Sequence, residues 1–330
     1  MPGGASSLVG RVAEREAVAR LFEDGAQLVT LTGLGGMGKT RVALRFAEEQ
    51  AGLYSAHGGG GVWFCDLTAA KGALDACAVV ACAVGVRMSG SADEREVAGD
   101  LGRALARRNR VLLVLDNFEG LVEVAEVTLG RWLRAAPNAR FLVTSRVALG
   151  LAGEHLWPLG PLELPAGGEV DPGRVALAPA VELFVRRARQ IRPDLGPRAD
   201  EIVAIGEIVR RLEGIPLAIE LAAARLAVLS IGELRGRLDR SFELLVRRGD
   251  EGRHASMRRA LLDSFEQLSA AEALCLAGCS LFVGGFTLGA AEAVLAVTGA
   301  PVLATLESLV TRSLVRRAPC AEHAAPASVS

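Results

Sequence analysis

The chain has 330 residues, enough for two or three domains that each bury a core, and 51% of them are hydrophobic against 23% charged. Its formal net charge of -1 excludes a general electrostatic attraction to nucleic acid or to an anionic membrane surface, so any such binding needs a local patch. No stretch approaches the roughly 20 consecutive apolar residues of a membrane span, and M-P-G-G-A-S-S lacks the regions of a secretory signal, so a cytoplasmic protein is expected.

After a flexible Gly/Ser leader over residues 1–7, L-V-G-R-V-A-E at Leu8 to Glu14 runs into a helix ending near Phe22. A strand is predicted from Gln27 to Thr32. G-L-G-G-M-G-K-T follows at Gly33 to Thr40, directly ahead of the helix-patterned Val42, Ala43, Phe46 and Ala47. Strand, glycine loop and helix in that order form a phosphate-binding P-loop. The glycines let the backbone turn with its N–H groups inward, where they cradle phosphate oxygens at the positive end of the helix. Gly33, Gly35, Gly36, Met37, Gly38, Lys39, Thr40 and Arg41 are the expected phosphate-binding stretch. Lys39 would neutralise the β- and γ-phosphates, and Thr40 would ligate Mg2+. Only two of the 37 basic residues are lysines, Lys39 and Lys71, so composition alone does not put a lysine here.

Further strands are predicted at Gly61 to Asp66, Val111 to Asp116, Arg140 to Ser145 and Glu154 to Leu159, with helices between them at Ala73 to Val84 and Glu94 to Arg107. This alternation argues for a parallel sheet with helices on both faces. The run Gly58 to Gly61 reads as a flexible connection, because no basic or hydroxyl residue follows it to meet a phosphate. V-L-L-V-L-D at Val111 to Asp116 is an apolar strand ending in a carboxylate, which makes Asp116 the Walker B candidate for Mg2+; an aspartate capping a helix is the plainer alternative. Asn117 cannot serve as a base, so either Glu119 handles the water or turnover is slow, and Glu119 reads equally well as a polar residue at the site's edge. Arg146 ends F-L-V-T-S-R at the carboxyl end of a strand, where it either senses the γ-phosphate or lies on the surface.

The character changes at Pro158 to Pro172, where L-P-A-G-G-E-V-D-P reads as a linker, and from Ala178 to about Leu281 the pattern is helical, with the capping box S-A-A-E at Ser269 to Glu272. Phe282 to Gly285 marks a turn, Thr287 an N-cap and Pro301 the opening of a last helix ending near Val310, before a short strand-like S-L-V-R-R. The tail to Ser330 lacks periodicity and is expected to be disordered. Cysteines 65, 77, 82, 275, 279 and 320 form no C-x-x-C pair and read as small apolar thiols.

These motifs, in this order, resemble the nucleotide-binding core of bacterial STAND signal-transduction ATPases, also called NB-ARC or AP-ATPase domains. The resemblance rests on L-V-G-R-x-x-E, G-L-G-G-M-G-K-T, G-V-W-F-C-D-L at Gly61 to Leu67, V-L-L-V-L-D-N-F-E at Val111 to Glu119, F-L-V-T-S-R at Phe141 to Arg146, E-G-I-P-L-A-I-E-L at Glu213 to Leu221, and S-L-F-V-G-G-F at Ser280 to Phe286. It implies an α/β P-loop NTPase fold, a parallel sheet with helices on both faces, followed by a small helical domain and a winged-helix-like domain. The expected boundaries are 8–160 for the nucleotide-binding domain, 161–177 for a linker, 178–240 for the helical domain, 241–317 for the winged-helix-like domain and 318–330 for the tail. Val9, Gly10 and Arg11 would border the adenine and ribose, and Pro216 would pack against the base.

The resemblance further implies an ATP/ADP-binding regulatory switch with Mg2+ and weak ATPase activity, controlling assembly with itself or with protein partners. Two departures stand out. Asp263 precedes Ser264 where bacterial relatives usually carry tryptophan, and the chain ends soon after S-L-V-R-R where relatives continue into sensor repeats. The expectation is thus a switch without its sensor or output. A DNA-binding regulator acting through a winged helix is the alternative, but Pro301 to Val310 carries Glu307 and no lysine or arginine, with Arg312, Arg316 and Arg317 only a short patch. Nucleic acid binding through this chain alone is therefore not expected. A constitutive P-loop ATPase is the other alternative.

Overall fold

The computed structural model describes residues 8–56, 60–88, 91–238, 268–282, 285–295, 301–311 and 314–315. They fall into two compact units, Met1–Ser264 and Phe265–Ser330.

The first unit opens with α1 (Val12–Glu23), β1 (Leu28–Thr32), α2 (Lys39–Ser55), β2 (Gly61–Asp66), α3 (Ala73–Val84), α4 (Glu94–Ala106) and β3 (Val111–Asp116). A 3-10 turn follows at Phe118–Val124, then α5 (Leu129–Ala135), β4 (Ala139–Thr144) and β5 (Glu154–Pro158). The five strands form one sheet in the order β2-β3-β4-β1-β5, with every pairing parallel. β3 explains why a fully apolar strand is needed here. Val111, Leu113 and Leu115 pack toward α3, α4 and α5, while Leu112 and Val114 pack on the opposite side with Val42, Phe46 and Val18 from α2 and α1. A strand covered on both faces has no position for a polar side chain until it ends.

The strands came out close to their predicted spans. β4 begins one residue earlier than expected and β5 ends at Pro158, although the Leu159 N–H still bonds the Thr32 carbonyl at 2.7 Å. Gly60, read as part of a flexible connection, is packed: its N–H bonds the Arg110 carbonyl at 2.7 Å and an added Cβ would lie 2.6 Å from the Arg108 carbonyl oxygen. Gly61 opens β2, and the rest of that reading, Gly58 and Gly59, lies outside the described residues.

A helical layer completes the unit: α6 (Pro172–Ala176), α7 (Pro179–Ile191), α8 (Ala199–Arg211), α9 (Pro216–Ala224), a short 3-10 turn at Arg225–Ala227 and α10 (Ile231–Leu238). Its core holds Phe184, Ile205, Ile208, Ile219 and Leu234, joined by Val9 from the leader side. The stretch 161–177 belongs to this layer rather than hanging between domains. Leu162 is buried in the same core with its N–H on the Gly214 carbonyl at 2.9 Å, and α6, capped by the Asp171 side chain, buries Val175.

In the second unit, α11 (Ala270–Cys279), α12 (Leu288–Leu295) and α13 (Val302–Thr311) share a small core of Cys275, Cys279, Ala291, Leu295, Leu306 and Leu309. The capping box is formed as read: Ser269 accepts from the Glu272 N–H, and Glu272 accepts from the Ser269 N–H at 2.7 Å. Where a strand was expected, Leu314 and Val315 turn back so that both N–H groups point at the Leu309 carbonyl, and the described residues of this unit contain no strand. The leader, the tail, Asp263, Ser264, Arg312, Arg316, Arg317 and Cys320 lie outside the described residues. Among those described, no helix is long and apolar enough to cross a membrane.

Candidate nucleotide site

The loop between β1 and α2 is built from backbone that only glycine adopts without strain. Gly33, Gly36 and Gly38 have φ of 145°, 83° and 86°. Gly33 also has no room for a side chain, since its Cβ would sit 2.7 Å from the Leu159 carbonyl oxygen. Gly35 and Met37 complete the loop, Met37 turned inward and buried. The loop delivers the chain to the first turn of α2, where the N–H groups of Lys39, Thr40 and Arg41 precede the first intrahelical bond, from Val42 to the Gly38 carbonyl.

Lys39 Nζ donates to the carbonyls of Gly33 at 2.7 Å and Leu34 at 3.1 Å. Burial pushes its pKa down from 10.5 to about 8, Arg146 pushes the same way, and Glu119 and Asp116 oppose them. Its ammonium therefore sits in a cradle of its own loop's carbonyls, poorly solvated and close to two carboxylates.

Asp116 is buried at the end of β3, level with Asp66 at the end of β2. Thr40 Oγ1 donates to its Oδ1 at 2.8 Å, and Thr144 Oγ1, at the end of β4, donates to the same oxygen at 2.5 Å. Burial raises the Asp116 pKa, against the lowering effect of the two hydroxyls. Thr144 Oγ1 also accepts the Asn117 N–H at 3.0 Å, and Asn117, at φ 62°, sends its amide to Thr68 at 2.7 Å. Asn117 is thus a fastener between β3 and β2.

Glu119 and Arg146, read separately in the sequence, meet as an ion pair at 3.1 Å with both side chains about four-fifths buried. Among the described residues, the second Glu119 oxygen is buried without a hydrogen-bond partner. That acceptor, the Lys39 ammonium held by its own loop's carbonyls, the open space around the Gly38 Cβ direction among the described residues and the hard oxygen pair Thr40 and Asp116 together fit a phosphate group with a divalent cation.

Beyond the loop lies a narrow crevice lined by Val9, Met37, Val42, Leu162, Leu183 and Pro216, together with Arg11 and Arg41. Gly10, at φ 64°, lies against Pro179, to which an added Cβ would come within 3.1 Å. Arg11 is a strut: its guanidinium pairs with Glu14 at 2.7 Å and donates to the Gly160 carbonyl at 2.6 Å and the Met37 carbonyl at 3.5 Å. Pro216 is the first residue of α9, and the next N–H, from Leu217, donates to the Gly36 carbonyl at 3.2 Å. Arg41 forms a two-point ion pair with Glu220, one contact at 3.2 Å. Val9, Arg11, Met37, Gly38, Arg41 and Pro216 thus line one crevice, while Lys39, Thr40, Asp116, Glu119 and Arg146 gather at the ends of β3 and β4 beside the loop.

Thr144, Leu162, Leu183, Leu217 and Glu220 were not foreseen. Only Glu220 left a signal in the sequence, as a lone charge inside the apolar run P-L-A-I-E-L-A-A-A.

Residues 22–155 match the family model described as an AAA domain. The Mycobacterium tuberculosis protein Rv0894 is 38% identical over 295 residues, covering 88% of this chain and 69% of that protein. A second M. tuberculosis protein, Rv0890c, named as a candidate HTH-type transcriptional regulator, is 36% identical over 294 residues, 88% of this chain but 31% of that one. Among solved structures, Aeropyrum pernix ORC2, titled as ADPNP-ADP complexes, aligns over 95% of this chain and 89% of that chain at 16% identity and a TM-score of 0.45. Cdc6p from Pyrobaculum aerophilum covers the same shares at 14% identity and a TM-score of 0.47. With its P-loop geometry and its AAA domain match, residues 22–155 form a P-loop AAA-type ATPase domain, and the chain belongs to the family of Rv0894.

Proposed function

We propose that this ATPase is an ATP/ADP-binding regulatory switch of the STAND or NB-ARC type, with slow hydrolysis as its reset. The observation that carries the reading is the seating of α9 on the P-loop. Leu217 bonds the Gly36 carbonyl at 3.2 Å, and Pro216 lines the same crevice as Val9 and Met37. A nucleotide whose phosphates lie on the loop and whose base lies in that crevice would touch the sheet domain and the helical layer at once. Such a ligand can bind two arrangements of the layers with different affinity and so shift their populations.

In this reading the N–H groups of Gly36, Gly38, Lys39 and Thr40 take phosphate oxygens, and Lys39 leaves the Gly33 and Leu34 carbonyls for the β- and γ-phosphates. Thr40 and Asp116 would hold Mg2+, which supplies charge neutralisation between the phosphates. Arg146 would sense the γ-phosphate, and Glu119, once released from Arg146, would orient the attacking water and receive its proton. While the pair stands at 3.1 Å, Glu119 is held away from that work, and Asn117 beside Asp116 offers no base in its place. Slow turnover follows from both. A switch of this kind signals by assembly with itself or with a protein partner.

A direct test places spectroscopic labels on α2 and α10 and compares their separation with ADP and with a non-hydrolysable ATP analogue. A nucleotide-dependent change in distance supports the switch. The same distance in both, with rapid phosphate release that Asp116→Ala abolishes, identifies a constitutive ATPase instead.

A second reading, a DNA-binding regulator, is favoured by the name of Rv0890c, although this chain spans less than a third of that protein. Against it, α13 carries Glu307 and no basic residue. A salt-sensitive gel shift with the full chain would support it.

A further inference from the structure

Glu220 is a costly residue to place where it stands. Its side chain is 10% exposed, on a helix whose other eight residues are all apolar. A desolvated carboxylate is tolerated only with a partner, and Arg41, whose side chain is 40% exposed, supplies a two-point guanidinium contact. Leu217 and Glu220 are three residues apart and so lie on one side of α9. Their partners, Gly36 and Arg41, lie on either side of Lys39 and Thr40 in the chain. α9 is thereby pinned at two points, to the crest of the P-loop and to the first turn of α2, with Pro216 at the crevice between.

We infer that Glu220 is a positioning residue, a latch that acts through Arg41 to hold α9 closed over the nucleotide crevice and so sets how fast nucleotide leaves. The inference rests on the nucleotide reading above for its consequence, and on the geometry alone for the latch. Without the ion pair, the contact between α9 and the loop among the described residues reduces to one main-chain hydrogen bond at 3.2 Å and apolar packing, with no charge to restore the register after each opening. Arg41 then serves the ligand indirectly, by keeping the crevice wall in place.

The experiment compares the full-length chain with Glu220→Gln, Arg41→Gln and the swapped double variant Arg41→Glu/Glu220→Arg. Two readouts are taken: hydrogen exchange of the Pro216–Ala224 segment without nucleotide, and release of a fluorescent ADP derivative. Either single variant is expected to speed exchange of the segment and release of ADP by roughly tenfold, the size of an ordinary coupling between sites. The swapped pair is expected to recover most of both, a rescue that simple loss of packing does not give. Unchanged exchange in both single variants overturns the latch, whether or not nucleotide binds. Unchanged release beside faster exchange also overturns it as a control on nucleotide. If the unaltered chain fails to bind the ADP derivative, the nucleotide reading fails, and the exchange data alone decide the latch.

Discussion

Thr144 donates its hydroxyl to Asp116 at 2.5 Å, which holds the carboxylate between the ends of β3 and β4 and aims it at Thr40. The same hydroxyl accepts the Asn117 N–H, so one atom fixes both the Walker B carboxylate and the turn that follows. Thr144→Val keeps the shape and removes the hydroxyl. It should cost about 1–3 kcal/mol of stability, the usual price of stranding a buried donor, seen in denaturant melts. Binding of nucleotide with Mg2+ should weaken severalfold while Mg2+-free binding changes little, as measured by titration calorimetry.

Gly36 and Gly38 share the same backbone region, with φ of 83° and 86°, but not the same surroundings. An alanine Cβ at Gly36 would stand 2.8 Å from the Leu217 Cβ, whereas at Gly38 no atom of the described residues lies within 4 Å. Gly38→Ala should therefore carry only the backbone cost of about 1–2 kcal/mol. Gly36→Ala should carry that and also loosen α9, giving a lower melting temperature and faster exchange at Leu217. Equal effects of the two variants on α9 would show that its seating does not depend on the loop crest.

Lys39 has a folded-state pKa of about 8 against an ordinary 10.5. Between those values the unfolded chain holds more protons than the folded one, so stability rises with pH across that window, by at most about 1.4 kcal/mol per pH unit from this group. Below pH 8 the charged, poorly solvated ammonium is a standing cost. The thiols of Cys65 and Cys77, raised by burial from 9.0 to about 12, pull the other way above pH 9. Comparison with Lys39→Met isolates the lysine: the variant should be the more stable at pH 7, and its advantage should shrink between pH 8 and 10.5. Binding of ADP phosphates should recharge Lys39, so at pH 8.5 calorimetry in buffers of different ionisation enthalpy should show proton uptake.

Glu119→Gln removes the charge that Arg146 holds and the acceptor for a water proton. Steady-state phosphate release should fall by roughly 10²-fold, the lower end of general-base effects, with ADP affinity close to unchanged. Unaltered turnover would remove Glu119 from the chemistry and leave it as the partner that positions Arg146.

Much of this site was legible because it is local. The P-loop carries its strand, turn and helix within a few residues of Lys39, and Asp116 stands out as the first polar residue at the end of a strand buried on both faces. What could not be read depends on which strands and helices become neighbours. Thr144 reaches Asp116 only because β4 pairs with β3, a sheet order that no periodicity encodes. Glu119 follows the end of β3 and Arg146 the end of β4, and their pairing again needed that adjacency. Arg11 was expected to border the adenine and ribose; it lines the crevice, and the hold on its guanidinium by Glu14 and the Gly160 carbonyl, the latter spanning 149 positions in the chain, could not be read from the sequence. Residues 161–177 read as a linker from their prolines and glycines, whereas Leu162 and Val175 anchor them in the helical core.

The central claim is that the loop around Lys39 holds a nucleotide whose other end lies against α9. Titration of the full chain with ADP, for the unaltered protein and for Lys39→Ala, tests it most directly. One ADP bound per chain, with affinity reduced at least a hundredfold in a Lys39→Ala variant that still melts cooperatively, is the expected result. Equal ADP affinity in the two proteins would contradict the account.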